Sequence, residues 1–366
     1  MGNGLEELLV SVFEGAASQV PFNIRHEYWY HFNKRAGTLP REYEGLDLPD
    51  ICERWGATWR CYSGYYVESC VKVEYEGVEF RVERIGERRE LHLAITPYGT
   101  LRRVVAYDLH GLSAQTLEYP IKGVSDFKPL EYVLESVKVK FDHAAYERLR
   151  ARVGTRGFVT FFFPHSPLQA LFLDWAGIPT TARLLRLEKR RTEELMGVIN
   201  EHNWEFYREL AKSPMRVLNL GENIDARITS PELFKRYCVP VYREAADYLH
   251  SFGKYVHIHV DGYARKLLPL LRETGLDGVE ALTPKPAGDF TLEEAKRELG
   301  DTVVLDGVPY LLFLPHIERD LLRRFVERLI ELFKGRLILG ISDELPPPAD
   351  LERVRLVSEI LREAGG

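Results

Sequence analysis

From about residue 153 onward, short apolar runs alternate with amphipathic stretches of helical length. Strands buried on both faces read as unbroken apolar runs, so this alternation is the pattern of βα units around a parallel sheet. The runs lie at residues 158–163, 216–220, 255–260, 278–282, 302–305 and 336–341. Between them the helix signals are specific. Ser230, Pro231 and Glu232 supply a cap, a first-turn proline and an early acid before a helix over 233–252, and Gly253 stops it. Thr291 with Glu294 forms a capping box, and Gly300 ends that helix.

Two earlier strands, 20–24 and 57–62, bring the count to eight. Eight βα units in order predict an α/β fold of the (β/α)8 TIM-barrel kind, with the whole chain, residues 1–366, as one domain. No glycine-rich dinucleotide fingerprint follows any strand, which removes the main sign of a Rossmann sheet. One segment breaks the pattern. Residues 66–110 read as antiparallel strands at 71–75, 78–85, 90–95 and 101–107, joined by turns at Glu76-Gly77, Gly86 and Pro97-Tyr98-Gly99. This predicts a β-hairpin insertion after the second barrel strand, either a lid or docking surface or an edge-stabilising decoration.

Charge and composition exclude several classes. Lys plus Arg number 49 against 55 Asp plus Glu, a net charge of -6, so no nucleic-acid partner is expected. The apolar runs are far shorter than the roughly 20 residues of a membrane helix. The start, Met1 to Glu6, has no cationic segment before an apolar run, so a cytoplasmic protein without a membrane span is expected. Cys52, Cys61, Cys70 and Cys238 form no CxxC pair and are expected to be buried, unbridged thiols.

Active sites of barrels are built where the strands end at the C-terminal rim. The polar residues at those ends are Arg25, His26, Glu27 and Tyr28; Arg60, Cys61 and Tyr62; His165 and Ser166; Glu222, Asn223 and Asp225; His257, His259 and Asp261; Glu280 and Thr283; Asp306; and Ser342, Asp343 and Glu344. The stretch His257-Ile258-His259-Val260-Asp261 says most. Alternation along a strand puts both histidines and the aspartate on one face, with His257 deepest and Asp261 nearest the rim. Two imidazoles and a carboxylate on one face suit a metal site or an acid–base pair, and a hydrogen-bonded plug of the lumen is the bland reading. Around Gly221, Glu222, Asn223 and Asp225 can face a ligand or simply cap the loop. Asp343 and Glu344 end an apolar strand before Pro346 to Pro348, which stiffen that turn. The aromatic string Tyr28 to Phe32 reads as core or as the wall of a pocket for a flat substrate, and Phe161 to Phe163 read as core.

These residues resemble the uroporphyrinogen decarboxylase superfamily, which includes zinc methyltransferases that work with corrinoid proteins. The likeness runs along most of residues 20–360 and is strongest at Ile228 to Phe234, His259-Val260-Asp261-Gly262 and Pro346 to Val354. It implies a barrel with its site at the C-terminal rim. Decarboxylases of this superfamily carry an Arg-Gln-Ala-Gly-Arg-Tyr element after the first strand, where this chain has Lys34-Arg35-Ala36-Gly37-Thr38-Leu39, so both arginines are read as lost. The Phe-Ser-Asp-Ile element after the second strand has no counterpart near 57–65. The methyltransferases bind zinc through His-x-Cys-Gly and a later cysteine; here the matching positions are His259, Asp261 and Asp343. Carboxylates for thiolates leave a harder Lewis acid and admit other divalent ions beside zinc.

The resulting expectation is a methyltransferase that takes a methyl group from a small O-methylated substrate, such as a methoxylated aromatic, to a separate corrinoid protein. His259, Asp261 and Asp343 hold a divalent metal, zinc by resemblance; Glu222, Glu280 and His257 orient groups or handle protons; His26, Tyr28, Asn223 and His165 contact substrate. No corrinoid-binding Asp-x-His-x-x-Gly occurs, so the corrinoid sits on the partner. The superfamily's dimers imply a homodimer. Two alternatives stand beside this: a decarboxylase without metal, with His259 and Asp261 as proton-transfer pair, and a non-catalytic subunit that binds a corrinoid protein.

Overall fold

The computed structural model describes residues 4–365, so Met1, Gly2 and Asn3 of the expected N-terminal reading lie outside the described residues. The chain divides into two compact units. The first comprises the chain up to Cys70, Asp142–Phe162 and everything from Pro214; the second comprises Val71–Phe141 and Phe163–Ser213.

The first unit carries the parallel strands Asn23–Ile24 (β1), Thr58–Tyr62 (β2), Gly157–Thr160 (β3), Val217–Ile224 (β4), Tyr255–Val260 (β5), Gly278–Glu280 (β6), Val303–Pro309 (β7) and Leu337–Ser342 (β8). Each falls within a few residues of an apolar run read from the sequence. Order in space follows order in the chain: β1 pairs with β2 and β2 with β3, and β4 to β8 pair consecutively. At one seam the Leu339 N–H donates to the Pro21 carbonyl at 2.9 Å, beside a parallel bridge between Phe22 and Leu339. At the other the Asn219 N–H donates to Phe161 O at 3.1 Å. The fold is α/β of TIM-barrel type.

Helix Gly4–Glu14 closes the N-terminal end of these strands. Its Leu9, Val10, Val12 and Phe13 pack on Phe158, Val217, Val303, Leu305 and Ile338, each buried side chain contributing roughly 1.5–3 kcal/mol of transfer free energy. That end is dry and apolar, so the polar side chains lie toward the other. The capping boxes at Thr291 and Asp47 start helices Leu292–Leu299 and Leu48–Arg54. The expected helix over 233–252 is divided: Pro231–Leu233, a wide π turn at Phe234–Cys238, then Val239–His250. Pro240 explains the break. It has no N–H to donate, and its ring would strike the carbonyl four residues back, which the wider turn relieves.

In the second unit Glu79–Arg84, Arg89–Thr96, Gly99–Tyr107 and Ala114–Glu118 pair antiparallel in that order, and Val71–Tyr75 pairs with Val137–Phe141. The antiparallel strands thus run on to Glu118, past the expected limit at 110. Asp108 makes the extra turn by accepting from the Leu112 N–H at 2.8 Å, and the polar Ala114–Glu118 carries little of the apolar alternation that marks a strand. Helices Gly177–Leu187 and Lys189–Ala211 belong to this unit as well. All four cysteines are buried and unbridged. Among the described residues no helix is long and apolar enough to cross a membrane.

Candidate metal centre

The site is built from the C-terminal ends of β1, β5, β6 and β8. Alternation along β5 gives the gradient expected of it. His257 is fully buried, the His259 side chain is 6% exposed and that of Asp261 41%. His259 Nε2 lies 3.3 Å from Asp261 Oδ1 and 3.6 Å from Asp343 Oδ1. One ligand atom from each of His259, Asp261 and Asp343 falls within 4.8 Å of the others. Two residues 82 positions apart, Asp261 and Asp343, are brought to one imidazole.

The other face of that imidazole is fixed from below. His259 Nδ1 is 2.8 Å from Glu280 Oε2. Glu280, fully buried, also accepts from Arg60 Nη1 at 2.6 Å, Tyr62 Oη at 2.5 Å and Asn219 Nδ2 at 2.5 Å. With both oxygens engaged, Glu280 holds the ring so that Nε2 faces the two aspartates. Arg60 in turn grips Asp306 with its fork, at 2.9 and 3.1 Å. Burial alone would lower the His259 pKa, but Asp343, Asp261 and Glu280 outweigh it and hold the imidazole well above its usual range. Burial would raise Glu280, yet His259 and Arg60 keep it well below the ordinary carboxylate range. For Asp306 burial wins over Arg60 and lifts its pKa to about 6.

Arg25, directly after β1, lies against the rim. It ion-pairs with Asp343 at 2.8 Å and with Glu344, and its guanidinium faces the rings of Tyr62, Tyr65 and Phe162 at 5.3, 5.2 and 5.3 Å. Lys34 to Leu39 fall at the end of helix Glu27–Ala36 and beyond it. Phe162, read as core, is only half-buried and stacks on Tyr62 at 3.6 Å, its ring 6.4 Å from that of His259.

The remaining predicted residues divide. Asn223, turned so that its amide nitrogen donates, reaches Asp261 Oδ2 at 3.1 Å. Glu222 is buried in β4 where the register shifts between Leu220 and Ile224. Among the described residues His257 finds no hydrogen-bond partner on either ring nitrogen, and burial pushes its pKa down to about 3, so it is a neutral side chain beneath the cluster. His26 is buried, with Nε2 3.1 Å from Leu48 O and Nδ1 3.5 Å from Cys52 Sγ, and burial again takes its pKa to about 3. Tyr28 is half-buried on helix Glu27–Ala36, while Trp29 on the same helix packs edge-on to Trp55 and Tyr43 in the core. His165 lies in the second unit, 2.7 Å from Asp174. Sequence reasoning passed over Tyr65 and gave Arg60, Asp306 and Arg25 no role. Their partners are set by strand register and loop path, for which the chain offers no local sign.

Whether these residues fit a divalent cation is answered by the donor set. One imidazole nitrogen and two carboxylates converge, and the imidazole's second nitrogen is held by a buried carboxylate, the outer-shell arrangement of metal-bound histidine. They fit.

Fold and site together define a TIM-barrel-type protein with a histidine–carboxylate cluster at the strand ends. The sequence model of the uroporphyrinogen decarboxylase (URO-D) family matches residues 117–364, from the end of the antiparallel segment through β8 and the last helix. The chain belongs to that family. Among solved structures it is similar to a methyltransferase from Methanosarcina mazei, at 14% identity over 99% of both chains with a TM-score of 0.60. It is also similar to a putative vitamin-B12 independent methionine synthase from Listeria monocytogenes, at 14% identity over 95% of this chain and 97% of the other, TM-score 0.44. At 14% identity the likeness to the M. mazei protein speaks to the fold alone. Comparison with curated protein sequences finds no match.

Proposed function

We propose that this protein is a metal-assisted methyltransferase that removes a methyl group from a small O-methylated substrate, of the methoxyaromatic type, and passes it to a corrinoid carried by a partner protein. The convergence of His259, Asp261 and Asp343 carries the reading. The charge around it supports the same conclusion: among the described residues Asp261, Asp343, Glu344, Glu280 and Asp306 face two guanidiniums, Arg25 and Arg60. We take the bonded seams between β8 and β1 and between β3 and β4 as closing the ring of strands.

His259, Asp261 and Asp343 would hold a divalent ion, which would supply Lewis acidity toward an ether or phenolic oxygen. The chain's own groups prepare for that. Glu280 fixes the ring of His259; Asn223 steadies Asp261; Arg25 holds Asp343 and Glu344 at the rim. Tyr62 and Phe162, stacked beside His259, keep water from its ring and offer an apolar wall. Glu222, buried near the end of β4, handles a proton, and half-buried Tyr28 meets the substrate. The URO-D membership and the shared fold of the M. mazei methyltransferase agree with this assignment.

Metal analysis tests it. Purified protein is expected to hold about one divalent ion per chain, falling sharply in His259→Ala and Asp261→Ala, because loss of one of three ligands removes most of the affinity. Cobalt spectra of a reduced corrinoid protein incubated with the enzyme and methoxylated aromatics then report the transfer. A wild type without affinity for any divalent ion would refute the reading. It would favour a metal-free decarboxylase, which the raised pKa of His259 and its hydrogen bond to Asp261 would serve as a proton-transfer pair.

A further inference from the structure

We propose that Asp306 and Arg60 are positioning residues for His259, acting through Glu280; the proposal rests on the reading of His259 as a metal ligand. Neither touches the imidazole. Their effect is transmitted by a chain of buried bonds whose starting point is a strained backbone.

Asp306 sits inside β7 with φ +75°, and Ala281, the residue after Glu280, has φ +57°. Residues other than glycine occupy this left-handed region at an energetic penalty, and they persist where surrounding structure enforces them. Here one bond joins the two: Asp306 Oδ2 accepts from the Ala281 N–H at 3.1 Å. The same carboxylate takes the Arg60 fork. Asp306 therefore fixes both the backbone that follows Glu280 and the cation that faces it.

Arg60 is further pinned by Asn23, through Nε to the side-chain oxygen at 2.9 Å and Nη2 to the carbonyl at 3.2 Å. Its Nη1, shared with Asp306, reaches Glu280 Oε1, while Glu280 Oε2 meets both Asn219 and His259 Nδ1. Across the β7–β8 ladder, where Gly307 is level with Gly340, the missing side chain of Gly340 makes the arrangement possible. A Cβ there would lie 2.6 Å from Asn23 O and closer still to Asp306 Oδ1. A plug that merely filled the lumen would need neither the two strained residues nor the cleared space; orienting Glu280 needs both.

Two variants test this without altering any ligand. Asp306→Asn keeps a residue that tolerates positive φ and removes the charge that grips Arg60. Gly340→Ala removes no charged group and displaces Asp306 by steric pressure. In the metal-free protein labelled with 15N-histidine, His259 is expected to show a downfield, slowly exchanging Nδ1–H, assigned by its absence in His259→Gln. Both variants should lose that signal and bind zinc about tenfold or more weakly in competition with a chelator, the effect typical of outer-shell partners. Folded variants with the signal and zinc affinity intact, changed only in melting temperature, would overturn the proposal. So would a wild type without the Nδ1–H signal, which decides the matter if neither variant folds. If the wild type binds no zinc while the variants still lose the signal, the metal reading falls and the positioning role stands.

Discussion

Arg60 is buried with two carboxylates, Glu280 and Asp306, and removing either side of that cluster should be unequally damaging. Glu280→Gln keeps the shape but withdraws a charge that meets Arg60, Tyr62, Asn219 and His259. Breaking a buried ion pair in this way costs about 3–5 kcal/mol, because the partner remains desolvated. Arg60→Met strands two acids at once, and Asp306 loses both of its bonds to the guanidinium, so its loss should exceed about 5 kcal/mol. For 366 residues the unfolding entropy is about 0.8 kcal/mol/K, so about 4 kcal/mol corresponds to a melting temperature lower by about 5 °C. Scanning calorimetry on both variants and the double variant gives the full cycle. We expect Arg60→Met to melt lower than Glu280→Gln, and the double variant to fall short of the sum by about 1–3 kcal/mol, as coupled neighbours do. An Arg60→Met protein more stable than Glu280→Gln, or strictly additive losses, would refute the view that the triad is one electrostatic unit.

His26 gives a prediction in acid. Its pKa is about 3 in the folded chain and about 6.5 when unfolded. The folded state therefore resists the proton, and stability that is complete above the unfolded value is lost as pH falls below it, at about 1.4 kcal/mol per unit. Urea titrations of His26→Gln should show about 2 kcal/mol less destabilisation between pH 7 and pH 5 than wild type, and parallel curves would remove the assignment. Arg25 competes with any cation for Asp343. Arg25→Met is expected to tighten zinc binding about tenfold, a modest fraction of the roughly 4 kcal/mol between unit charges 4 Å apart at an effective dielectric of 20. Unchanged or weaker affinity would show that Arg25 positions Asp343 and does not compete for it.

The parts of this molecule that could be read from the chain are those with a local period or a local cap. The eight strands announced themselves as apolar runs, Thr291 with Glu294 marked a helix start, and alternation alone ordered His257, His259 and Asp261 by depth. Pairings set by register or by backbone strain were silent. Asp306 reaches Arg60 from a left-handed conformation that glycine would have advertised and aspartate did not. Phe162 looked like its two neighbours in a run of three, but the break in strand pairing after Thr160 turns it toward Tyr62 and Arg25. The string Tyr28 to Phe32 is helical, so its rings split between the core at Trp29 and the half-buried face at Tyr28. Arg25 was visible at a strand end, yet nothing local revealed that its partners lie more than 300 residues away.

Those partners connect Arg25 to the nature of the ligands. A guanidinium this deeply buried requires anions, and Asp343 and Glu344 supply them from the end of β8, which the Phe22–Leu339 bridge holds beside β1. Asp343 thus has two duties: it balances Arg25 through Oδ1 and stands 3.6 Å from His259. One oxygen, Oδ1, meets both groups, and a carboxylate has a second oxygen to offer a cation, whereas a thiolate has one sulfur. The resemblance read from the sequence implies thiolates in zinc methyltransferases where this chain has Asp261 and Asp343. On that reading the carboxylates go with a rim that contains its own cation, Arg25, with which His259 shares Asp343.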